Sequence, residues 1–87
     1  MIEFIMIWVP EYAGKKEGWA VVNFDSSYST TEMFDRGTKV YNTGDNLQRS
    51  LRYASKFFPV GTKVILFKAE EVKQVVMDKK TREMYQD

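Results

Sequence analysis

The architecture of this chain follows from residues 37–64, which read GTKVYNTGDNLQRSLRYASKFFPVGTKV. The tetrapeptide Gly-Thr-Lys-Val opens and closes this segment. Each copy is typical of a turn glycine that leads into a β-strand. Because the residues between the copies have helical periodicity, the segment predicts a strand, a helix and a second strand in succession.

The predicted helix spans residues 45–58 and has signals at both ends. Asp45 is the expected N-cap, and Gln48 stands in the capping-box position three residues later. Pro59 and Gly61 end the helix. At 100° per residue, one narrow stripe of this helix is apolar and should face the core; it contains Leu47, Leu51, Ala54 and Phe58.

Strand signals lie on both sides of this segment. Residues 2–9 are apolar at odd and even positions alike, which predicts a central strand covered on both faces, and residues 62–68 have the same character. Residues 19–24 predict a further strand. The run Ser29-Thr30-Thr31-Glu32 fits a capping box and predicts one helical turn that stops at Gly37.

The C-terminal tail, residues 69–87, fits either a helix or a hairpin. Three valines in five residues favour a strand, with a turn at residues 78–81 and a short last strand at 82–85. The whole chain, residues 1–87, is therefore predicted to be one small α+β domain, with a mostly antiparallel sheet and one main helix. The predicted order, β-β-β-α-β-β, is also that of the five-stranded barrel that binds oligonucleotides.

Composition narrows the classes of function. The 87 residues include no cysteine and no histidine, so thiol chemistry, disulfides and the commonest general base are all excluded. No motif for a metal, a phosphate or a cofactor is present, and we expect a protein without catalytic activity. The apolar start carries Glu3 and lacks a basic region and a cleavage site, so it does not resemble a signal peptide and we expect a cytoplasmic protein.

The first functional hypothesis is a protein-binding module. Opposite the apolar stripe, Arg49, Arg52 and Lys56 form a ridge that could meet an acidic surface, and we expect no acid at i±4 to neutralise it. Tyr12 and Tyr28 lie in expected loops, where tyrosine favours protein contacts. A small chain of this kind suits an inhibitor or modulator of a larger host protein, as in the accessory proteins of phages and mobile elements.

The alternative hypothesis is binding of single-stranded nucleic acid. Residues 18–24, Gly-Trp-Ala-Val-Val-Asn-Phe, loosely resemble the aromatic RNA-binding strand pattern, although Glu17 replaces a cation and Val21 replaces the central aromatic residue. Rings that stack on bases and cations that meet phosphates would form such a site; the candidates are Trp8, Trp19, Lys15, Lys16, Lys39 and Lys63.

Two points stay open at this level. Trp19 is either a core residue or a stacking platform, since its strand can be buried or exposed. An edge strand at the C-terminus would also permit a homodimer formed by strand pairing. The identity of a protein partner is not encoded in any motif of the chain.

Overall fold

A computed structural model of the chain describes residues 3–22, 31–34, 37–68 and 70–85. It confirms an α+β fold with a mostly antiparallel sheet and one main helix. The elements, in chain order, are β1 Phe4–Val9, β2 Gly18–Trp19, β3 Thr31–Phe34, β4 Gly37–Tyr41, α1 Asn46–Phe57, β5 Lys63–Lys68, β6 Glu70–Val76 and α2 Lys79–Tyr85.

Strand β1 lies at the centre of the sheet, as its two apolar faces predict. The strand order is β3-β4-β1-β5-β6, and the short strand β2 pairs with the last residues of β1, next to β4. All of these pairings are antiparallel. Within the described residues β3 and β6 are not paired with each other, so the sheet is open and does not form the oligonucleotide-binding barrel that the element order also allowed.

The hydrophobic core lies between one face of the sheet and α1. Ile5 and Ile7 of β1 are buried against Leu51 and Ala54 of the helix. Removing one large aliphatic side chain of this kind from water stabilises a domain by about 1.5–3 kcal/mol. The other buried apolar members of this cluster are Val9, Ala20, Val22, Val40, Val64, Leu66 and Met77.

Helix α1 begins and ends where the sequence predicts, but its first turn is not capped as expected. The N–H of Phe58 donates to the carbonyl of Ala54 and closes the last turn. Asp45 occupies the N-cap position, but its carboxylate makes no capping hydrogen bond. It accepts instead from Arg49 Nε at 2.8 Å, so the predicted capping box with Gln48 is not formed.

Two predictions of local structure are wrong. Thr31–Phe34 is strand β3 rather than a helical turn, because pairing with β4 satisfies its backbone and overrides the local capping signal. The tail begins with strand β6, as its valines predict, but continues into helix α2 where a last strand was expected. The N–H of Thr81 donates to Asp78 Oδ1 at 2.7 Å, which caps this helix, and Arg82 Nε donates to the carbonyl of Ser55 in α1.

The two Gly-Thr-Lys-Val copies adopt similar roles on either side of β1. Gly37 and Gly61 both have positive φ, +128° and +99°, which only glycine adopts readily. Each threonine and each valine is buried, and each lysine is half-buried. The copies are thus two turn-to-strand junctions that place equivalent residues in β4 and β5.

Among the described residues, no helix has both the length and the apolar character needed to cross a lipid bilayer.

Candidate functional site

The sheet has a second face, opposite the helices, that carries most of the aromatic residues of the strands. Side chains alternate between faces along a strand, and residues paired across strands share a face. Since Ile5 and Ile7 face α1, the residues between them on β1 and their partners on the neighbouring strands lie on the other side. This aromatic face contains Phe4, Met6, Trp8, Trp19, Lys39, Tyr41, Lys63, Ile65 and Phe67.

Neither of the two described helices packs on the aromatic face. Helix α1 contacts β1 and β5 through the core side, and α2 contacts α1. As far as the described residues show, helices cover only the other side of these strands. Its rings are half-buried and touch one another, so each keeps part of its surface accessible.

The rings of the aromatic face form one connected set. Trp8 and Trp19 meet edge to face with their centroids 5.0 Å apart, and Trp19 meets Phe67 in the same manner at 6.1 Å. Phe67 is stacked on Phe4 at 5.1 Å, with their planes only 14° apart. Offset and edge-to-face pairs of this kind contribute about 0.5–1.5 kcal/mol each, so these contacts stabilise the arrangement of the rings.

Trp19 is held in this set by the backbone on its other side. Ala20 N–H donates to the carbonyl of Ile7, and Thr38 N–H donates to the carbonyl of Ala20, which fixes this segment between β1 and β4. A Cβ atom at Gly37 would lie only 2.6 Å from the Cβ of Trp19. The close approach therefore depends on glycine at position 37.

Two lysines border the rings. Lys39 Nζ lies 4.7 Å from the centroid of Phe4, within the range of a cation–π contact. Lys63 lies directly opposite Trp8 in the β1–β5 pairing. Neighbouring strands of a sheet lie about 4.8 Å apart, and β4 and β5 flank β1. The two strands that carry these lysines are therefore about 10 Å apart, on either side of the central strand.

The tip of the β1–β2 connection forms a second part of the site. Tyr12 and Lys15 exchange two backbone hydrogen bonds of 3.1 and 2.8 Å, and both residues between them have positive φ. This is the geometry of a type I′ turn. Beside it lies a cleft of about 250 Å³, whose walls include Tyr12, Lys15, Lys16, Trp19, Val21 and Phe58.

The six residues of the nucleic-acid hypothesis lie in two regions that share Trp19. Trp8, Trp19, Lys39 and Lys63 share the aromatic face, while Lys15 and Lys16 line the cleft. Trp19 belongs to both regions. Trp19 is neither fully buried in the core nor fully exposed, since its ring packs on Trp8 and its side chain is half-buried.

The structure describes four of the five residues of the protein-binding hypothesis. Arg49 pairs with Asp45, so the expectation that no acid neutralises the ridge on α1 is wrong. Arg52 and Lys56 are exposed on that helix. Tyr12 lies at the tip of the β1–β2 connection and lines the cleft. Tyr28 falls outside the described residues.

Sequence reasoning missed the phenylalanines of the site. Phe4 and Phe67 complete the row of rings, and Phe58 forms a wall of the cleft. A signal for Phe4 existed, because Phe4, Met6 and Trp8 alternate with the core isoleucines along β1. No such signal marked Phe58, which the helical pattern assigned to the core.

Clusters of metal-ligating side chains are a further feature to consider in the described part of the chain. Within residues 3–22, 31–34, 37–68 and 70–85, no three side chains of His, Cys, Asp or Glu come together as metal ligands would. The pKa of Asp78 is lowered from its ordinary value, mainly by the hydrogen bond from the Thr81 backbone. That carboxylate caps α2 and takes no part in the aromatic face.

Comparison of the chain with protein-family models, with curated proteins and with solved structures finds no match. The function must therefore be argued from the site alone.

Proposed function

We propose that this protein binds single-stranded nucleic acid on the aromatic face of its sheet. The observation that carries the proposal is the coincidence of connected, partly accessible rings with lysines on both sides of the central strand. Sheets that bind single strands combine these two elements, because any base can stack on a ring and any phosphate can meet a cation.

The rings supply the base-binding part of the interaction. Trp8 and Trp19 meet at an interplanar angle of 82°, so their faces point in different directions and two bases can stack separately. Each base–aromatic stack contributes about 1–3 kcal/mol to single-strand binding. Because stacking does not distinguish the bases strongly, we expect weak dependence on sequence.

The lysines supply the phosphate-binding part. Lys39 and Lys63 border the rings, and Lys15 and Lys16 extend the cationic region past Trp19. If all four side chains neutralise phosphates, the plot of log affinity against log salt should have a slope of about −3. The net charge of only +1 means that long-range attraction is weak, so local contacts must dominate the affinity.

The test is a tryptophan-fluorescence titration with a single-stranded oligonucleotide at low and at high salt. We expect quenching that weakens as salt rises, and weaker binding by the double variant Lys39→Ala/Lys63→Ala. The matched control is Arg52→Ala/Lys56→Ala, which removes the same charge from the outer surface of α1. Equal losses in both variants would show that net charge, and not the aromatic face, determines binding.

A second candidate function is protein binding through the outer surface of α1. The observation in its favour is Phe57, which is 61% exposed and follows the exposed Lys56 in the last turn. An exposed aromatic ring beside cations is typical of protein interfaces. On this hypothesis the protein acts in the cytoplasm as an inhibitor or modulator of a larger acidic partner.

The two functions are separated by reversing the charge of that surface. The variant Arg52→Glu/Lys56→Glu should abolish capture of a protein partner and leave quenching by oligonucleotides unchanged. If the variant still captures the partner at full affinity, α1 does not carry the interaction.

A further inference from the structure

The cleft beside the tip of the β1–β2 connection differs from the aromatic face because its two lysines are consecutive in the chain and line a concave site. Its walls include three aromatic residues, Tyr12, Trp19 and Phe58, and two consecutive lysines, Lys15 and Lys16. The cleft measures about 250 Å³, slightly below the ~300–1,000 Å³ of sites that hold drug-sized molecules. It therefore suits one small aromatic group that carries negative charge.

The tip of the connection is built to hold this arrangement. The two backbone hydrogen bonds between Tyr12 and Lys15 make them a cross-strand pair, whose side chains leave the same face of the turn. The turn is tight, since Ala13 and Gly14 have φ of +48° and +79°. The ring of Tyr12 and the stem of Lys15 are thus placed together by the backbone.

The position of the cleft relates it to the aromatic face. Trp19 lies on that face opposite Trp8 and also forms a wall of the cleft. A single strand of nucleic acid that crosses the rings toward Trp19 would therefore reach the cleft next. The cleft lies beyond the last residues of β1, where the sheet ends.

We propose that the cleft binds the phosphorylated terminal nucleotide of a single strand. An internal phosphodiester carries one negative charge, whereas a terminal phosphate monoester carries about 1.5 to 2 at pH 7. Two adjacent lysines match the monoester better than the diester. This inference rests on the proposed function, because the strand must also lie on the aromatic face.

The environment of the cleft sets the orientation of that nucleotide. Phe58 follows α1, and a helix C-terminus carries partial negative charge from its free carbonyls. The phosphate therefore lies on the side of Lys15 and Lys16, away from the end of the helix. The base then occupies the side of Trp19 and Phe58, where the walls are aromatic.

The experiment compares three unlabelled oligonucleotides of one sequence as competitors of a labelled, unphosphorylated strand. The competitors carry a 5′-phosphate, a 3′-phosphate or no terminal phosphate. We expect one of the phosphorylated strands to compete at least about tenfold better than the unphosphorylated one, as a charged hydrogen-bonded contact gives. The end that is preferred gives the direction in which the strand lies.

Variants assign the preference to the cleft. Lys15→Ala/Lys16→Ala should remove the preference, while the unphosphorylated strand still binds, more weakly, through the rings, Lys39 and Lys63. Lys79→Ala/Lys80→Ala removes two adjacent exposed lysines from α2 and should retain it. A shift from pH 7 to pH 5 should also weaken the preference, because the monoester loses a charge below its second pKa of about 6.

The outcomes separate this inference from the proposed function. Equal competition by all three strands would overturn terminal recognition and leave binding on the aromatic face intact. A preference that survives in Lys15→Ala/Lys16→Ala would also overturn it, since the cleft would not be its source. If no strand binds at all, the proposed function fails and terminal recognition fails with it.

Discussion

Replacing Gly37 by alanine should strongly destabilise the protein, because two independent effects add at this position. The backbone has φ of +128°, which side chains other than glycine rarely adopt, at a cost of about 1–3 kcal/mol. The new Cβ would lie 2.6 Å from the Cβ of Trp19 and 3.3 Å from the carbonyl oxygen of Ala20. Neither atom is at the free end of a flexible side chain, so relief requires backbone movement, at about 1–3 kcal/mol more.

The expected total is a loss of about 2–6 kcal/mol in the free energy of unfolding. A domain of 87 residues has roughly 4–13 kcal/mol in all, so the loss is a large fraction. At about 4–8 °C per kcal/mol for a domain of this size, the Tm should fall by at least about 8 °C. Urea unfolding and a thermal melt followed by circular dichroism measure both quantities.

Two other glycines serve as matched controls. Gly44 has φ of +56° but open space around its Cβ direction, so Gly44→Ala should cost only about 1–2 kcal/mol. Gly18 has open space and no positive φ, so Gly18→Ala should be neutral or slightly stabilising. A Gly37→Ala protein as stable as Gly18→Ala would refute the argument that close packing of β4 on Trp19 needs glycine.

Three further substitutions test other parts of the fold. Ala13→Asn should stabilise the protein by up to about 1 kcal/mol in urea unfolding, since asparagine tolerates positive φ in a type I′ turn better than alanine, and an unchanged midpoint would contradict that turn geometry. Ser50→Ala should stabilise the protein by about 1 kcal/mol, because this buried hydroxyl has no hydrogen-bond partner among the described residues. The control Ser55→Ala removes a 2.8 Å hydrogen bond to a backbone carbonyl and should not stabilise the protein. Asp78→Ala should lower the Tm at neutral pH by removing the cap on Thr81 N–H. Since the pKa of Asp78 is lower in the folded protein, its stabilising effect is present above the unfolded pKa near 3.8 and is lost as pH falls through the folded pKa. The difference in Tm between wild type and variant should therefore vanish in acid. A constant difference in Tm down to about pH 2 would contradict the assignment.

The sequence predicts those parts of the fold whose signals are local and consistent. Helix α1 has an apolar stripe, a proline and a glycine that agree on its extent, and β1 has apolar residues on both faces that place it centrally. The doubled tetrapeptide predicts two strand starts, and both are found. In each case local propensity and tertiary contacts favour the same structure.

Other parts depend on contacts between distant residues. Strand β3 has a capping-box sequence, and only its pairing with β4 makes it a strand. The face of the sheet that the helices cover also cannot be read from local signals, because β1 is apolar on both faces. For that reason the grouping of Trp8, Trp19, Lys39 and Lys63 on one face appears only in the structure.

Helix α2 is a different case, since a local signal was present. Asp78 precedes a run of good helix formers and caps Thr81, which is an N-terminal helix signature. The preceding valines favour a strand and obscured it. Both signals are correct for separate elements: the valines belong to β6, which ends at Val76, and the capping residue Asp78 precedes α2, which begins at Lys79.

The central position of β1 has a consequence for how the protein is made. This strand is synthesised before its partners β4 and β5, which end at residues 41 and 68. During translation this strand, which is apolar on both faces, therefore cannot complete its hydrogen bonds until β5 has been synthesised. Such non-local pairing slows folding to milliseconds or longer and exposes the nascent strand to aggregation, so rapid synthesis or chaperone protection should improve the yield of folded protein.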